Sequence, residues 1–417
     1  IEELQFVSGA FNAEYGKALS GYVNISTKDG GNEFTGVLTS WIGDYISSGT
    51  DIFRGIDRVD PVNIRNIEGS LSGPIIPSTL TFYAFARYIY FGGWMSAQNN
   101  YKPWNITINL GPDSTVVNRY TLSSVDSTAG DGEFVPMNWN EKIYGQFKLS
   151  YRPTAGVQLN YNWLRDDVDF QDYDHLMSFN PDGNFKKFRL GITNIFTIIH
   201  TLSPTTFYQA NFSYFFKEFK QYVYEDPNDS RWTHDRLLGQ EPKESPSFRT
   251  GGTYASQFRR TTNTYGIKVD FTSQLDRINL VKFGVEFNDH RLSFDNINLI
   301  QDISAGDPQI TGDPFVKRFV ADPEDPNENL AIDRYIRQPM ELSAYIQDKI
   351  EIKDLIVNVG VRFDYFDANS RIPVDLRDPA NKLFPEDEAD AYEQVKAKTQ
   401  ISPRLGLAFP ITDQGVI

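Results

Sequence analysis

Leu280-Val-Lys-Phe-Gly-Val-Glu-Phe-Asn288 decides the fold class. Val281, Phe283, Val285 and Phe287 fall on one side of an extended chain, opposite Leu280, Lys282, Gly284, Glu286 and Asn288. Successive side chains of a β-strand point to opposite faces, so this run presents one apolar face and one mostly polar face. The run before it does the same. Tyr265, Ile267, Val269 and Phe271 oppose Gly266, Lys268 and Asp270, and only a short turn, Ser273 to Arg277, separates the two.

The unit repeats along the chain from Glu33 onward. Ile143, Phe147, Leu149 and Tyr151 oppose Tyr144, Gln146, Lys148 and Ser150; then Val157, Leu159, Tyr161 and Trp163 oppose Gln158, Asn160 and Asn162. Leu355, Val357, Val359, Val361, Phe363 and Tyr365 oppose Asn358, Gly360, Arg362 and Asp364. Short connections fall near Gly73-Pro-Ile-Ile-Pro77, Pro153, Leu202-Ser-Pro204, Leu275-Asp276, Lys353-Asp354 and Pro410-Ile-Thr412. Long ones fall near residues 44 to 63, 92 to 138, 169 to 184, 222 to 254, 294 to 335 and 367 to 396. Short and long alternate strictly. Outer-membrane barrels have short periplasmic turns and long extracellular loops, so the alternation classifies the chain and orients it.

The reading is therefore all-β: a transmembrane antiparallel up-and-down β-barrel. The chain supplies about 12 to 13 strands of an expected total of about 22, the last beginning at Gly415-Val-Ile417. A sheet in lipid must close on itself, so the chain reads as a portion of a longer protein. Its start, Ile1-Glu-Glu-Leu-Gln-Phe6, has neither the basic nor the apolar region of a signal peptide and reads as mature or internal.

Composition agrees. Of 417 residues, 14% are aromatic, with 22 Tyr and 31 Phe against 4 Met, a bias towards strands and membrane interfaces. Mean hydropathy is -0.43, and no run of about 18 uncharged apolar residues occurs, which excludes helical spans. With 0 Cys there are no disulfides or thiolate metal sites. The net charge of -15 argues against nucleic acid as a partner. Acidic stretches at 322–328 and 386–390 read as solvated loops.

The N-terminal stretch carries a resemblance. Ser8-Gly-Ala-Phe-Asn-Ala-Glu-Tyr-Gly16, then Ser20-Gly-Tyr-Val-Asn-Ile-Ser-Thr-Lys28 and Gly30-Gly-Asn-Glu-Phe-Thr-Gly36, resembles the passage from the last plug strand into the first barrel strand of TonB-dependent receptors. Residues 1–31 would then be the C-terminal end of a plug domain and 32–417 the N-terminal half of the barrel. Gly16, Gly21, Gly30 and Gly31 would form the plug–barrel junction, the first two packing close to the wall and the last two giving positive-φ freedom. Gly69-Ser-Leu-Ser-Gly-Pro74, Ser343-Ala-Tyr-Ile-Gln-Asp348, Val359-Gly-Val-Arg-Phe-Asp-Tyr365 and Ile401-Ser-Pro-Arg-Leu-Gly-Leu407 look like later strands of the subgroup common in Bacteroidota. Its members often carry an N-terminal carboxypeptidase-regulatory-like domain, which this stretch lacks.

That resemblance implies a receptor in the outer membrane of a Gram-negative bacterium, importing a large or scarce ligand, surrounded by outer-membrane lipid and driven by the TonB–ExbB–ExbD complex. A surface lipoprotein or another outer-membrane protein is a further expected partner. The alternative is a non-transport barrel serving as a docking or surface-assembly platform through its long loops. A secreted β-rich enzyme or lectin would have to pack the Val/Phe faces inside a sandwich.

Lys148, Lys268, Asp270, Glu286, Arg362 and Asp364 are expected to line the lumen, paired with one another or with the plug. Trp94, Trp104 and Trp232 are the loop residues expected to contact ligand. Trp41, Tyr88, Tyr90, Trp94, Trp139, Tyr151 and Trp163 suit interfacial girdles. His175, His200, His234 and His290 show neither i,i+4 pairing nor an HExxH pattern, and no nucleophile elbow or phosphate loop occurs. No enzyme, cofactor or metal site is expected.

Overall fold

Side-chain alternation of this kind makes a sheet with two unlike faces, and the long polar stretches confine the pairing to neighbours in sequence. In a computed structural model, residues 2–8, 12–16, 21–49, 51–103, 106–109, 121–125, 130–229, 231–232, 248–249, 251–301, 318–320, 331–352, 355–379, 391–412 and 415–416 are described. The main sheet has 14 strands, all antiparallel to their neighbours. Twelve form one continuous path, beginning with Thr35–Gly43, Ile64–Ile76, Leu80–Phe91, Asn140–Thr154 and Val157–Phe170. Lys186–Ser203, Thr206–Tyr222, Ser256–Gln274, Asn279–Gln301, Met340–Ile352, Leu355–Asp367 and Lys398–Ala408 follow in sequence order.

Most strands end near where the sequence reading expects, but the loop read at 294 to 335 starts later, because Asn279–Gln301 runs on past residue 294. The long connections run from Gly43 to Ile64, Phe91 to Asn140, Phe170 to Lys186, Tyr222 to Ser256, Gln301 to Ile332 and Asp367 to Lys398. Two short turns sit elsewhere than expected. Gly73 and Pro74 lie within Ile64–Ile76, and the hairpin turns at residues 77–79, with Ser78 at φ 60. At the far end Pro410–Thr412 pairs with Gly415–Val416 as a separate two-stranded unit.

Asn279–Gln301 has 23 residues, far more than the roughly 10 needed to cross a membrane. Its upper half pairs with Ile332–Arg337 and its lower half with Met340–Ile352. Gln338 and Pro339 separate the two partners, and Pro339 cannot donate to the ladder. Its carbonyl still accepts from His290 N at 3.0 Å.

Register shows the two faces directly. Ser150, Asn160, Thr197, Asn211, Lys268, Glu286, Ser343, Asp364 and Gln400 are successive cross-strand partners, forming an unbroken polar row over nine strands. One residue further along each strand the row reads Tyr151, Leu159, Ile198, Ala210, Val269, Val285, Ala344, Phe363 and Ile401. Every member is apolar or aromatic, and Val285 is 47% and Ile401 70% exposed. An exposed apolar band backed by a polar face is what a strand meets between lipid and lumen.

Tyr88, Tyr90, Tyr151 and Trp163 lie on the apolar face, in register with Ile143, Glu141, Leu159 and Phe147. Trp41 does not. It falls in line with Asn66, Ile89 and Lys142 on the polar face, with its ring 6.2 Å from Phe91. Its place near a strand end suggests a girdle, but strand parity decides the side.

Buried apolar clusters form among the loops at one end of the sheet. Val223, Tyr224, Trp232, Ile297 and Leu299 form one buried cluster, Ala97, Met137 and Met177 another, and Tyr254 packs against both. Backbone bonds tie distant loops together: Gln98 N to Ser178 O at 2.8 Å, Arg249 N to Leu176 O at 2.7 Å, and Gly252 N to Pro103 O at 3.0 Å.

Candidate functional site

The polar face holds the N-terminal segment. Glu3–Ser8 and Gly21–Ser26 make an antiparallel hairpin, and between them residues 12–16 turn towards the sheet, with Tyr15 N bonded to Asn12 O. Ala13 is 1% exposed, seated where Gly360 has no side chain: a Cβ on Gly360 would come within 2.8 Å of Ala13 Cβ.

Glu14 is held at three points. Its N–H donates to Gln347 Oε1 at 3.1 Å, its carboxylate receives Lys282 Nζ at 3.3 Å, and its carbonyl accepts from Arg362 Nη1 at 3.3 Å. Arg362, with 4% of its side chain exposed, also donates from Nε to Asp364 Oδ1 at 2.9 Å. A buried guanidinium needs such partners, because an unpaired charge out of water is costly. Gly16 lies directly over it, and a Cβ there would stand 2.5 Å from the guanidinium carbon.

A second anchor follows residue 26. Lys148, 15% exposed at its side chain, forms an ion pair with Asp29 and donates to Thr27 O at 3.2 Å. Asp29 also lies 3.8 Å from Arg152 Nη2 and accepts from the Ser150 hydroxyl at 3.5 Å. Next, Gly30 presses on the backbone of Phe82, where an added Cβ would be 2.4 Å from the carbonyl oxygen. Asn32 Oδ1 then accepts from Ser78 N in the first hairpin turn at 3.0 Å.

These contacts revise the reason for two glycines. Among the described residues the glycines at positive φ are Gly55, Gly93, Gly132 and Gly252, so Gly30 and Gly31 do not supply left-handed backbone. Gly30 is needed for close approach. Gly31 has no neighbouring atom nearer than 3.9 Å to a Cβ and carries no such constraint. Gly21 packs within its own hairpin, where a Cβ would meet the Phe6 ring at 2.9 Å.

All six polar residues expected in the lumen share this face. Lys268, Glu286 and Asp364 belong to one cross-strand row, and Asp270 and Arg362 to the next, joined through Gly284 and Tyr345. Lys268 pairs with Asp270 at 3.6 Å, Asp270 accepts from Tyr345 OH at 2.7 Å, and Glu286 accepts from Asn288 Nδ2 at 3.0 Å. Lys148 and Arg362 touch the N-terminal segment; the other four pair within the wall or beside it. Glu14, Lys282 and Gln347 complete the junction and are not singled out by sequence. Glu14 stands inside the Glu14-Tyr-Gly16 motif, but its partners lie more than 260 residues away, beyond any local pattern.

The tryptophans divide. Trp94 is 43% exposed in a loop cleft. Trp232 is fully buried: its ring lies 5.0 Å from that of Tyr224 and its Nε1 donates to Asp226 O at 3.1 Å. It has no surface to offer a ligand, so the expectation there is corrected; it is a packing residue. Trp104 and His234 lie outside the described residues, as do the acidic stretches at 322–328 and 386–390. His175, His200 and His290 are each bonded to a hydroxyl, of Tyr173, Tyr208 and Thr264. Among the described residues no three His, Asp or Glu stand together as metal ligands.

An antiparallel sheet with a lipid-type face, a polar face and a segment bound to the latter defines a membrane β-barrel wall. Residues 116–417 match the model of the outer membrane beta barrel domain, and the chain belongs to that family. It lies in the outer membrane of a Gram-negative bacterium.

Among solved structures it is similar to the outer membrane transporter YddB from Escherichia coli, at 10% identity and a TM-score of 0.59 over 98% of this chain and 45% of that one. The FrpB iron transporter from Neisseria meningitidis gives 13% and 0.56 over 98% and 51%. The ferric yersiniabactin uptake receptor FyuA from Yersinia pestis gives 11% and 0.56 over 98% and 50%. At such identities the likeness is one of fold, and the chain spans about half the length of these structures. No protein of curated function matches it in sequence.

Proposed function

We propose that the chain is part of a TonB-dependent outer-membrane receptor that imports a large or scarce ligand. Residues 1–31 are the end of its plug and 32–417 the first half of its barrel. The observation that carries this reading is the three-point seat of Glu14 on Gln347, Lys282 and Arg362. A segment held against the lumen wall by a few polar contacts obstructs the pore and can be released without unfolding the barrel. The fold shared with outer-membrane transporters supports the reading, as does the Glu14-Tyr-Gly16 to Gly36 stretch. The TonB–ExbB–ExbD complex would supply the pull, and a surface lipoprotein would be the receptor's companion at the loops. Membership of the Bacteroidota subgroup, with a carboxypeptidase-regulatory-like domain ahead of the plug, rests on sequence resemblance.

The test needs no knowledge of the ligand. In the full-length protein in its own host, Ala13→Cys places a thiol at a 1% exposed site on the wall-facing side of the segment. Labelling by a thiol reagent is expected in growing cells with the energy-coupling complex intact and to fall at least tenfold when that complex is deleted. Equal labelling in both strains would overturn the import reading and favour a static docking platform.

A further inference from the structure

A cleft of about 540 Å³ opens among the loops, lined by residues 51–54, 94–96, 98, 134, 173, 175, 178, 179 and 248. That volume lies within the range of small-molecule sites. Its walls are fixed by the fold. Phe53 N bonds to Gly49 O at 2.9 Å and Ser47 N to Ile56 O at 3.0 Å, holding the first loop. Gly55, at φ +74, seats that loop on Phe134, where an added Cβ would come within 2.6 Å.

Aromatic rings dominate the lining. Phe53 and Trp94 meet edge to face at 5.7 Å, and Phe179 and Phe248 at 4.7 Å. Trp94, Phe134 and Phe248 are each more than 40% exposed, so ring faces stand open to solvent in one concave surface. Such a patch in a soluble loop marks a binding surface.

One cation stands among the rings. The Arg54 guanidinium lies 5.9 Å over Phe179, and among the described residues it forms no ion pair, although Asp51 lines the same cleft. An exposed guanidinium on an aromatic floor pairs with carboxylate or phenolate oxygens while the rings stack on a flat body. A neutral sugar would instead call for several amide and carboxylate partners around one stacking ring.

We infer that this cleft binds a ring-bearing organic anion, stacked against Trp94 and Phe53 with its anionic group on Arg54. The inference deepens the receptor reading by naming the ligand class, and it is tested by binding alone, so its failure is distinguishable from a failure of import.

The test is equilibrium dialysis of 2-naphthoate, 2-naphthol and maltohexaose with the full-length protein in detergent. Naphthoate is expected to bind at least tenfold more tightly than naphthol. Arg54→Gln should remove that preference, Arg54→Lys should keep part of it, and Trp94→Ala should weaken both naphthalenes about fivefold, in line with ordinary charge-assisted and stacking terms. Equal binding of naphthoate and naphthol, an unchanged preference in Arg54→Gln, or binding of maltohexaose in place of both would overturn the assignment.

Discussion

The Arg362 guanidinium donates to the backbone carbonyl of Glu14 across 348 residues of sequence, with only 4% of its side chain exposed. The same group holds Asp364 through Nε and lies beneath Gly16. This barrel-wall cation is thus one of three groups that hold Glu14, and its removal should be felt at residues 12–16 first.

Arg362→Ala should loosen residues 12–16 and leave the sheet intact. Hydrogen bonds to a charged group contribute about 1.5–3 kcal/mol, so amide exchange in this segment should quicken roughly 10- to 100-fold. Hydrogen exchange read by mass spectrometry measures this. Unchanged exchange at 12–16 would mean the contact holds nothing.

Gly30→Ala brings a Cβ to 2.4 Å from the Phe82 carbonyl oxygen, and backbone gives way less readily than a side chain. The substitution should cost about 1–3 kcal/mol, as overpacking does, seen as a lower urea midpoint of the refolded full-length protein. Gly31→Ala is the control, since a Cβ there would meet only ordinary contacts at 3.9 Å, and its midpoint should stay within error of the parent.

Val285→Arg puts a charge in the middle of the apolar row, where it should cost about 2–4 kcal/mol in a bilayer. Glu286→Gln, one residue on and on the polar face, should cost far less. Unfolding in lipid vesicles separates the two, and equal effects would contradict the assigned faces.

Asp276 gives a pH dependence. Backbone N–H groups of Ile278 and Asn279, with the Asn279 side chain, hold its carboxyl below the usual aspartate range in the turn after Ser256–Gln274. A depressed pKa means the turn's stabilisation is full above the unfolded aspartate value, about 3.9, and is lost as pH falls through the lower folded value. Exchange of the Asn279 amide should therefore keep its protection factor from pH 7 to about 4 and lose it below. Loss already at pH 6 would require another group.

Trp232→Ala empties a fully buried site beside Tyr224, whose phenol burial pushes up to about 12. Large aromatic truncations cost about 3–5 kcal/mol, so residues 223–229 and 251–255, which pack around it, should become sensitive to protease while the strands stay resistant. Equal protease resistance in parent and variant would show that Trp232 does not hold this loop cluster together.

Much of this was legible because barrel strands carry a local signal. The loop read at 44 to 63 falls between Gly43 and Ile64, and the alternation at 280–288 places Lys268, Glu286 and Asp364 on one side. Where local pattern and tertiary pairing diverge, the reading fails. Gly73-Pro74 looks like a turn, yet a bulge between Pro74 and Ile76 lets the strand run on. Asn279–Gln301 continues past Asn288 because its partner resumes beyond Pro339. Trp232 looks like a free loop aromatic, and only contacts with Tyr224 and Asp226 reveal it as core. Glu14 is silent in sequence because its charge matters only opposite Lys282, 268 residues on.

Each strand of the main sheet stands between lipid and a polar lumen. Single cysteines from 281 to 288 in the full-length protein, reconstituted in vesicles and spin-labelled, distinguish the two sides. Positions 281, 283, 285 and 287 should be reached by oxygen dissolved in lipid, and 282, 284, 286 and 288 by a water-soluble nickel chelate. Equal access of the chelate to both sets would contradict the barrel.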